Sequence, residues 1–209
     1  ISRSGSNLIT VRPGVLVTRD KSDKIVGVNY FSSLNSAAFS ETDWKTIAKS
    51  ENISTTVPFN LVQGSAKADG RSMPASFIVG TNAELPEVLN QKLEYGNFFT
   101  DEESSKHVVV IGKRVAEQLF SELAPIGKTV QIRGQQFIVR GVFEEFPGSP
   151  LIANVDYNTA IFMPYQSSKD LNSNQVQIYQ VLAKSNNDGS VGSSAASIRK
   201  NLSTLHGGE

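Results

Sequence analysis

Two histidines, His107 and His206, are the side chains of this 209-residue chain that titrate near neutral pH without special help. A histidine needs partners before it can do chemistry. His107 follows Lys106 at a strand entrance, and His206 lies in a Gly-rich tail. Neither has a second histidine or a carboxylate at i+3 or i+4, so a His-based metal motif lacks its ligands. Both read as surface histidines. A Ser-His-Asp relay assembles in space, and sequence spacing alone does not decide it. The Gly-x-Ser-x-Gly elbow is missing, because Gly5-Ser6 and Gly192-Ser193 lack the second glycine.

Carboxylates cluster at Asp101-Glu102-Glu103 and at Glu144-Glu145. A glycosidase needs two such groups facing one another across a cleft. Neighbours on a strand point to opposite faces, and Asp101–Glu103 follows Thr100 at what reads as a helix start. Both clusters are therefore expected to be solvated charge. No stretch spaces oxygen ligands as a calcium loop does. Val108–Gly112 leads into a helix but carries one glycine, with Lys113-Arg114 where a dinucleotide site needs more. No Walker A sequence occurs, so any coupling to ATP must come from another domain or chain. Phe31, Phe39, Trp44, Phe98, Phe99, Phe137 and Phe162 are scattered without a base-stacking motif and read as core. The residues thus predict no catalytic, cofactor-binding or metal-ligating site, and no enzyme.

Composition agrees with a structural role. Hydrophobic residues make up 39% and charged residues 19%, ordinary for a folded chain. Lys+Arg and Asp+Glu each number 20, which leaves no basic excess to attract nucleic acid. There is no cysteine, so disulfides, thiolate nucleophiles and Cys-based zinc sites are ruled out together. The longest apolar runs, Val108–Ile111 and Phe137–Val139, are far shorter than the roughly 18 residues of a membrane span. No charged leader precedes an apolar stretch at the start. A chain opening on Ile1 is expected to be a segment excised from a longer protein.

These residues need elements to position them. Asn7–Val11 reads as a strand stopped by the turn pair Pro13-Gly14, and Thr18–Ser36 as a long surface loop. Ser40 with Asp43 forms a capping box that opens a helix to about Ser50, with Trp44, Ile47 and Ala48 on its apolar face. Strands follow at Ile53–Leu61 and Ser76–Gly80, the latter after the Asp69-Gly70 turn. Near the far end come a strand at Gln175–Ala183, a turn at Asn187-Asp188-Gly189 and a helix over Val191–Leu205. Its apolar stripe is Val191, Ala195, Ile198, Leu202 and Leu205. From about Glu84 to Tyr165 glycines, prolines and short strands dominate, interrupted by helices at Leu85–Gln91 and Arg114–Phe120. Val130 and Ile132 alternate with polar neighbours, as do Phe137 and Val139, and Arg133-Gly134-Gln135 joins the two runs as a hairpin.

Taken together, Val108-Val109-Val110-Ile111-Gly112, the helix ending Leu119-Phe120, Ile126-Gly127-Lys128, Phe137–Val142 and the later Phe162-Met163-Pro164-Tyr165 carry a resemblance. The chain resembles the periplasmic core domain of MacB-type, FtsX-like ABC transporter permeases. Tyr95–Thr100 is similar to the family's Gly-Arg-x-Phe segment, with Asn97 in place of the arginine. Leu202–Gly207 is similar to the helix that leads back to the membrane.

The resemblance implies an α+β fold in two parts: a discontinuous porter-like βαβ subdomain from both chain ends (residues 1–83 and 169–209), and an inserted, small β-rich, Sabre-like subdomain (residues 84–168). It implies a non-catalytic extracytoplasmic, periplasmic domain that passes ATP-driven motion of flanking transmembrane helices to export of substrate. The partners implied are those helices, a cytoplasmic ABC ATPase, a periplasmic adaptor protein and a second copy in a homodimer; nucleic acid is not among them. Ile1 and Glu209 are then expected at one end of the fold. The competing reading is a secreted α+β hydrolase, or a carbohydrate-binding or interaction module. That reading requires a concave pocket with converging titratable groups.

Overall fold

Pro13-Gly14 acts as the sequence suggests: it closes a two-residue hairpin between β1 (Leu8–Arg12) and β2 (Val15–Arg19), with Arg12 opposite Val15. The computed structural model describes residues 7–19, 24–30, 38–73, 77–147 and 156–207. The fold is α+β, with two units that are described in turn. The first unit draws on Ile1–Phe59, Glu87–Asn90 and Val176–Glu209, and the second on Asn60–Pro86 and Gln91–Gln175.

In the first unit, β1 pairs antiparallel with β2 on one side and with β13 (Ile178–Ser185) on the other. β2 also pairs with β3 (Ile25–Tyr30), and β13 neighbours β4 (Ile53–Val62), whose first seven residues belong here. Ile9 and Val11 point into the core at alternate positions of β1 and are fully buried, as period-2 burial requires. Two helices pack on this sheet, α1 (Glu41–Ala48) and α5 (Val191–Leu205). They lie antiparallel, because Glu51 N donates to Ser197 Oγ at 3.0 Å and Asn201 Nδ2 to Ser50 Oγ at 3.1 Å, while His206 reaches Asp43. α5 therefore runs back across β1 and β2, and its C-terminal end meets α1 a few residues after Phe39, which bridges Ile178. Leu8, opposite Lys184, stands at the other end of β13.

The second unit is a mixed sheet. β11 (Gln135–Phe143) is parallel to β9 (Val108–Ile111) and antiparallel to both β10 (Thr129–Ile132) and β8 (Leu93–Gly96). β12 (Ala160–Pro164) pairs parallel with β7 (Phe77–Thr81) and antiparallel with β9. The hairpin of β5 (Ala66–Ala68) and β6 (Arg71–Met73) extends the edge beyond β10. Both tight hairpins have two consecutive positive-φ residues in the loop, Asp69 (49°) with Gly70 (73°) and Arg133 (49°) with Gly134 (78°). That is the backbone the right-handed strand twist favours.

One core of this unit joins Ile111, Val130, Ile132, Phe137, Val139, Ile161 and Met163 to a helical segment. The segment is α3 (Lys113–Val115), which widens into a π-helical turn over Ala116–Phe120 and stops at Ser121 in the left-handed conformation. Five further aromatic residues form a chain of rings. Phe143 lies 5.4 Å from Phe162, 5.1 Å from Phe146 and 5.8 Å from Phe98, and Phe146 lies 5.4 Å from Tyr157. α4 (Tyr165–Leu171) packs on β7 at Gly80, where an added Cβ would fall inside the Ser168 side chain. A short α2 (Leu85–Leu89) begins in this unit and passes into the first at Glu87.

Several expectations are corrected. Thr18–Ser36 is not all loop: Thr18-Arg19 end β2, and Ile25–Tyr30 is β3. Its Val26 and Val28 are 60% and 42% exposed, so the strand lacks the one-sided burial that announces one. Ala48 is exposed, and Asp43, not Ala48, joins Ile47 on the buried face of α1. Leu205 ends the α5 stripe 41% exposed, and buried Ser194 takes a place the stripe did not include. Phe39, Phe99, Phe137 and Phe162 are core as expected, while Trp44 and Phe98 are half-buried. Phe31, Ile1 and Glu209 lie outside the described residues.

Candidate functional site

Among the described residues, serine, histidine and aspartate, the residue types of a hydrolytic triad, meet at the start of α1. Ser40 is the N-cap: its Oγ accepts from Asp43 N at 3.2 Å, and the Asp43 carboxylate answers by accepting from Ser40 N at 2.8 Å. Asp43 is almost wholly buried, at 3% side-chain exposure. Burying a charge demands hydrogen bonds on every side. Oδ2 also accepts from Ser40 Oγ at 3.0 Å, and Oδ1 accepts from His206 Nε2 at 2.5 Å. The positive end of the helix dipole adds to the stabilisation.

The wiring is that of a cap and not of a catalyst. In a nucleophilic triad the imidazole stands between hydroxyl and carboxylate and takes the hydroxyl proton. Here the carboxylate stands in the middle. The Ser40 hydroxyl donates its hydrogen bond to Asp43, and His206 has no described hydroxyl to activate. Sequence reasoning found Ser40 and Asp43 through the capping box. It read His206 as a surface histidine, because the partner lies 163 residues away.

The acidic clusters divide. Asp101, Glu102, Glu144 and Glu145 are exposed, as solvated charge should be. Glu103 is not: its side chain is 13% exposed and is held by Arg140. Oε1 of Glu103 also accepts from Thr100 N at 3.2 Å, closing a capping box over the 3-10 turn Asp101–Glu103. The hydrogen bond from Arg140, then that from Thr100 and the nearby positive charges, hold the Glu103 carboxyl below its ordinary value despite its burial. A carboxyl locked as an anion by a guanidinium serves neither as a general acid nor as a nucleophile free to attack. His107 is exposed and stacks on Phe137 with centroids 4.8 Å apart.

Among the described residues no group of three or more histidine, aspartate and glutamate side chains could hold a metal ion. One depression, of about 530 Å³, is an open one lined by polar residues of β5, β6, β10 and β11 and their turns: Lys67, Asp69, Arg71, Thr129, Gln131 and Gln136. A second, of about 140 Å³, lies between Thr18 and Arg199. Neither brings an acid and a base together over an apolar floor, which is what a small-molecule site needs. No helix of the described residues is long and apolar enough to cross a membrane.

Comparison with known proteins agrees with this architecture. A family model described as MacB-like periplasmic core domain matches residues 1–201, so the chain belongs to that family. Among sequence relatives, the pyoverdine export ATP-binding/permease protein PvdT of Pseudomonas aeruginosa is 34% identical over 95 residues, 44% of this chain and 14% of that protein. The macrolide export ATP-binding/permease protein MacB of Wolinella succinogenes is 28% identical over 167 residues, 79% of this chain and 24% of that protein. The chain therefore matches no more than about a quarter of the length of either. Among solved structures, the periplasmic region of MacB from Actinobacillus actinomycetemcomitans superposes with a TM-score of 0.75 at 22% identity, covering 98% of this chain and 86% of that one. The extracellular domain of the transporter YknZ from Gram-positive bacteria gives 0.68 at 21% identity, covering 84% and 88%. At these identities the likeness is one of fold.

Proposed function

We propose that this chain is the extracytoplasmic domain of an ABC transporter permease, a non-catalytic part that passes motion from flanking transmembrane helices to substrate export. The observation that carries the reading is the family match over residues 1–201, joined by the fold likeness to the MacB periplasmic region. The chemistry of the described residues is consistent with it: the Asp43 carboxylate is committed to a cap and that of Glu103 to an ion pair. ATP hydrolysis then belongs to a separate domain or chain, and export is the direction that the names of both relatives give. In this reading the porter-like part comes from the two chain ends and the Sabre-like part from the middle. The intact permease works as a homodimer and engages a periplasmic adaptor. The domain moves as a rigid lever on its membrane helices.

The chain contains no cysteine, which allows a clean test. Gln131→Cys, at an exposed position of β10, is placed in an otherwise cysteine-free full-length permease. A membrane-impermeant maleimide should label it in intact spheroplasts. Labelling that requires lysis would place the domain on the wrong side of the membrane and end the proposal.

A further inference from the structure

We propose that the Asp43–His206 contact is a clasp that couples the C-terminal end of α5 to the first turn of α1, so that displacing one unseats the other. The inference deepens the proposed function and rests on it for direction: if the chain continues from α5 towards a membrane helix, movement enters the domain at His206.

Three observations carry it. First, Asp43 divides its carboxylate between two helices. Oδ2 serves the cap of α1 through Ser40 N and Ser40 Oγ, and Oδ1 serves His206, the C-cap residue of α5. Second, the burial is lopsided: Asp43 is 3% exposed and His206 is 35% exposed, so the histidine is the partner that water reaches first. Oδ1 accepts from no other described group. A buried carboxylate that loses a donor must find another or turn outward. Turning outward pulls Oδ2 from Ser40 and opens the cap. Third, the other α1–α5 hydrogen bonds, Glu51 to Ser197 and Asn201 to Ser50, lie at the far end of α1. They act as the fixed end of the pair, and the clasp is the end that can open. The helix pair is thus built to open like a hinge at its His206 end, with α1 responding through its N-terminal turn.

Amide hydrogen exchange on the 209-residue chain tests this, since local opening shows as lost protection in the affected turn alone. His206→Ala should speed exchange at the amides of Asp43, Trp44 and Lys45 by about tenfold, the factor that one charged hydrogen bond of ordinary strength carries. Exchange in β1 and β13 should not change. Ser40→Ala, which removes the cap directly, sets the scale for the same amides. Unchanged exchange in the first turn of α1, or an equal rise across β1 and β13, would overturn the clasp. The measurement involves no transport, so it stands apart from the labelling experiment, whose failure would remove the reading beneath it and leave the coupling itself intact.

Discussion

Glu103 holds Arg140 with both carboxylate oxygens, accepting from Nη1 at 2.9 Å and from Nη2 at 2.6 Å, across 37 residues of sequence. The pair ties the 3-10 turn that follows β8 to the middle of β11. Bidentate geometry makes it stronger than an ordinary surface pair, but the guanidinium is 34% exposed and solvent screens it. Arg140→Ala should therefore lower stability by about 1 kcal/mol at pH 7, read from the urea midpoint. The pH dependence has a definite sign. The Glu103 carboxyl titrates lower in the folded chain than its ordinary 4.5, so its contribution is present above that value and is lost as pH falls through the folded one. The gap between the unsubstituted chain and Arg140→Ala should be constant from pH 7 to 5 and shrink below about 4.5. A gap that widens as the solution is acidified below about pH 4.5 would refute the assignment.

Gly80 has an ordinary backbone conformation, and its requirement is space. Ser168 Oγ occupies the place of a Cβ there, while donating to Tyr165 O at 2.6 Å and accepting from the buried Asn60 Nδ2 at 2.8 Å. Gly80→Ala must push α4 off β7 or break the Asn60–Ser168 hydrogen bond. The expected cost is about 3 kcal/mol, overpacking and a lost buried hydrogen bond together. Adding Ser168→Gly should return part of it, and an additive double variant would show that the clash is elsewhere.

Gly134 poses the opposite case. Nothing lies within 4 Å of a Cβ built there, but φ is +78°. Gly134→Ala should cost only the left-handed backbone penalty of about 1 kcal/mol. A denaturation midpoint equal to that of the unsubstituted chain would show that the loop relaxes to another turn type.

Much of this fold is legible along the chain, and the reason is locality. The Pro13-Gly14, Asp69-Gly70 and Arg133-Gly134 turns, the Ser40–Asp43 capping box and the span Val191–Leu205 each depend on residues within a few positions of one another. The alternation of Val130 with Ile132, and of Phe137 with Val139, survives because one face of that sheet is buried. β3 escapes because an edge strand with its valines in water shows no such pattern. The π-helical turn at Ala116–Phe120 escapes because it reads as plain helix in composition. The contacts that matter most for mechanism are the least legible. Nothing near His206 in sequence speaks of Asp43, and nothing near Glu103 singles out Arg140. Both pairs exist only because the folded backbone delivers charges that are distant in sequence to one spot.

The two hairpin tips, Asp69-Gly70 and Arg133-Gly134, project with open space around their glycines. Such tips tolerate spliced-in sequence better than any other part of a sheet. An epitope inserted after Gly134 would leave the strand register and the buried layers alone, turning this domain into its own reporter of where it sits in a living cell.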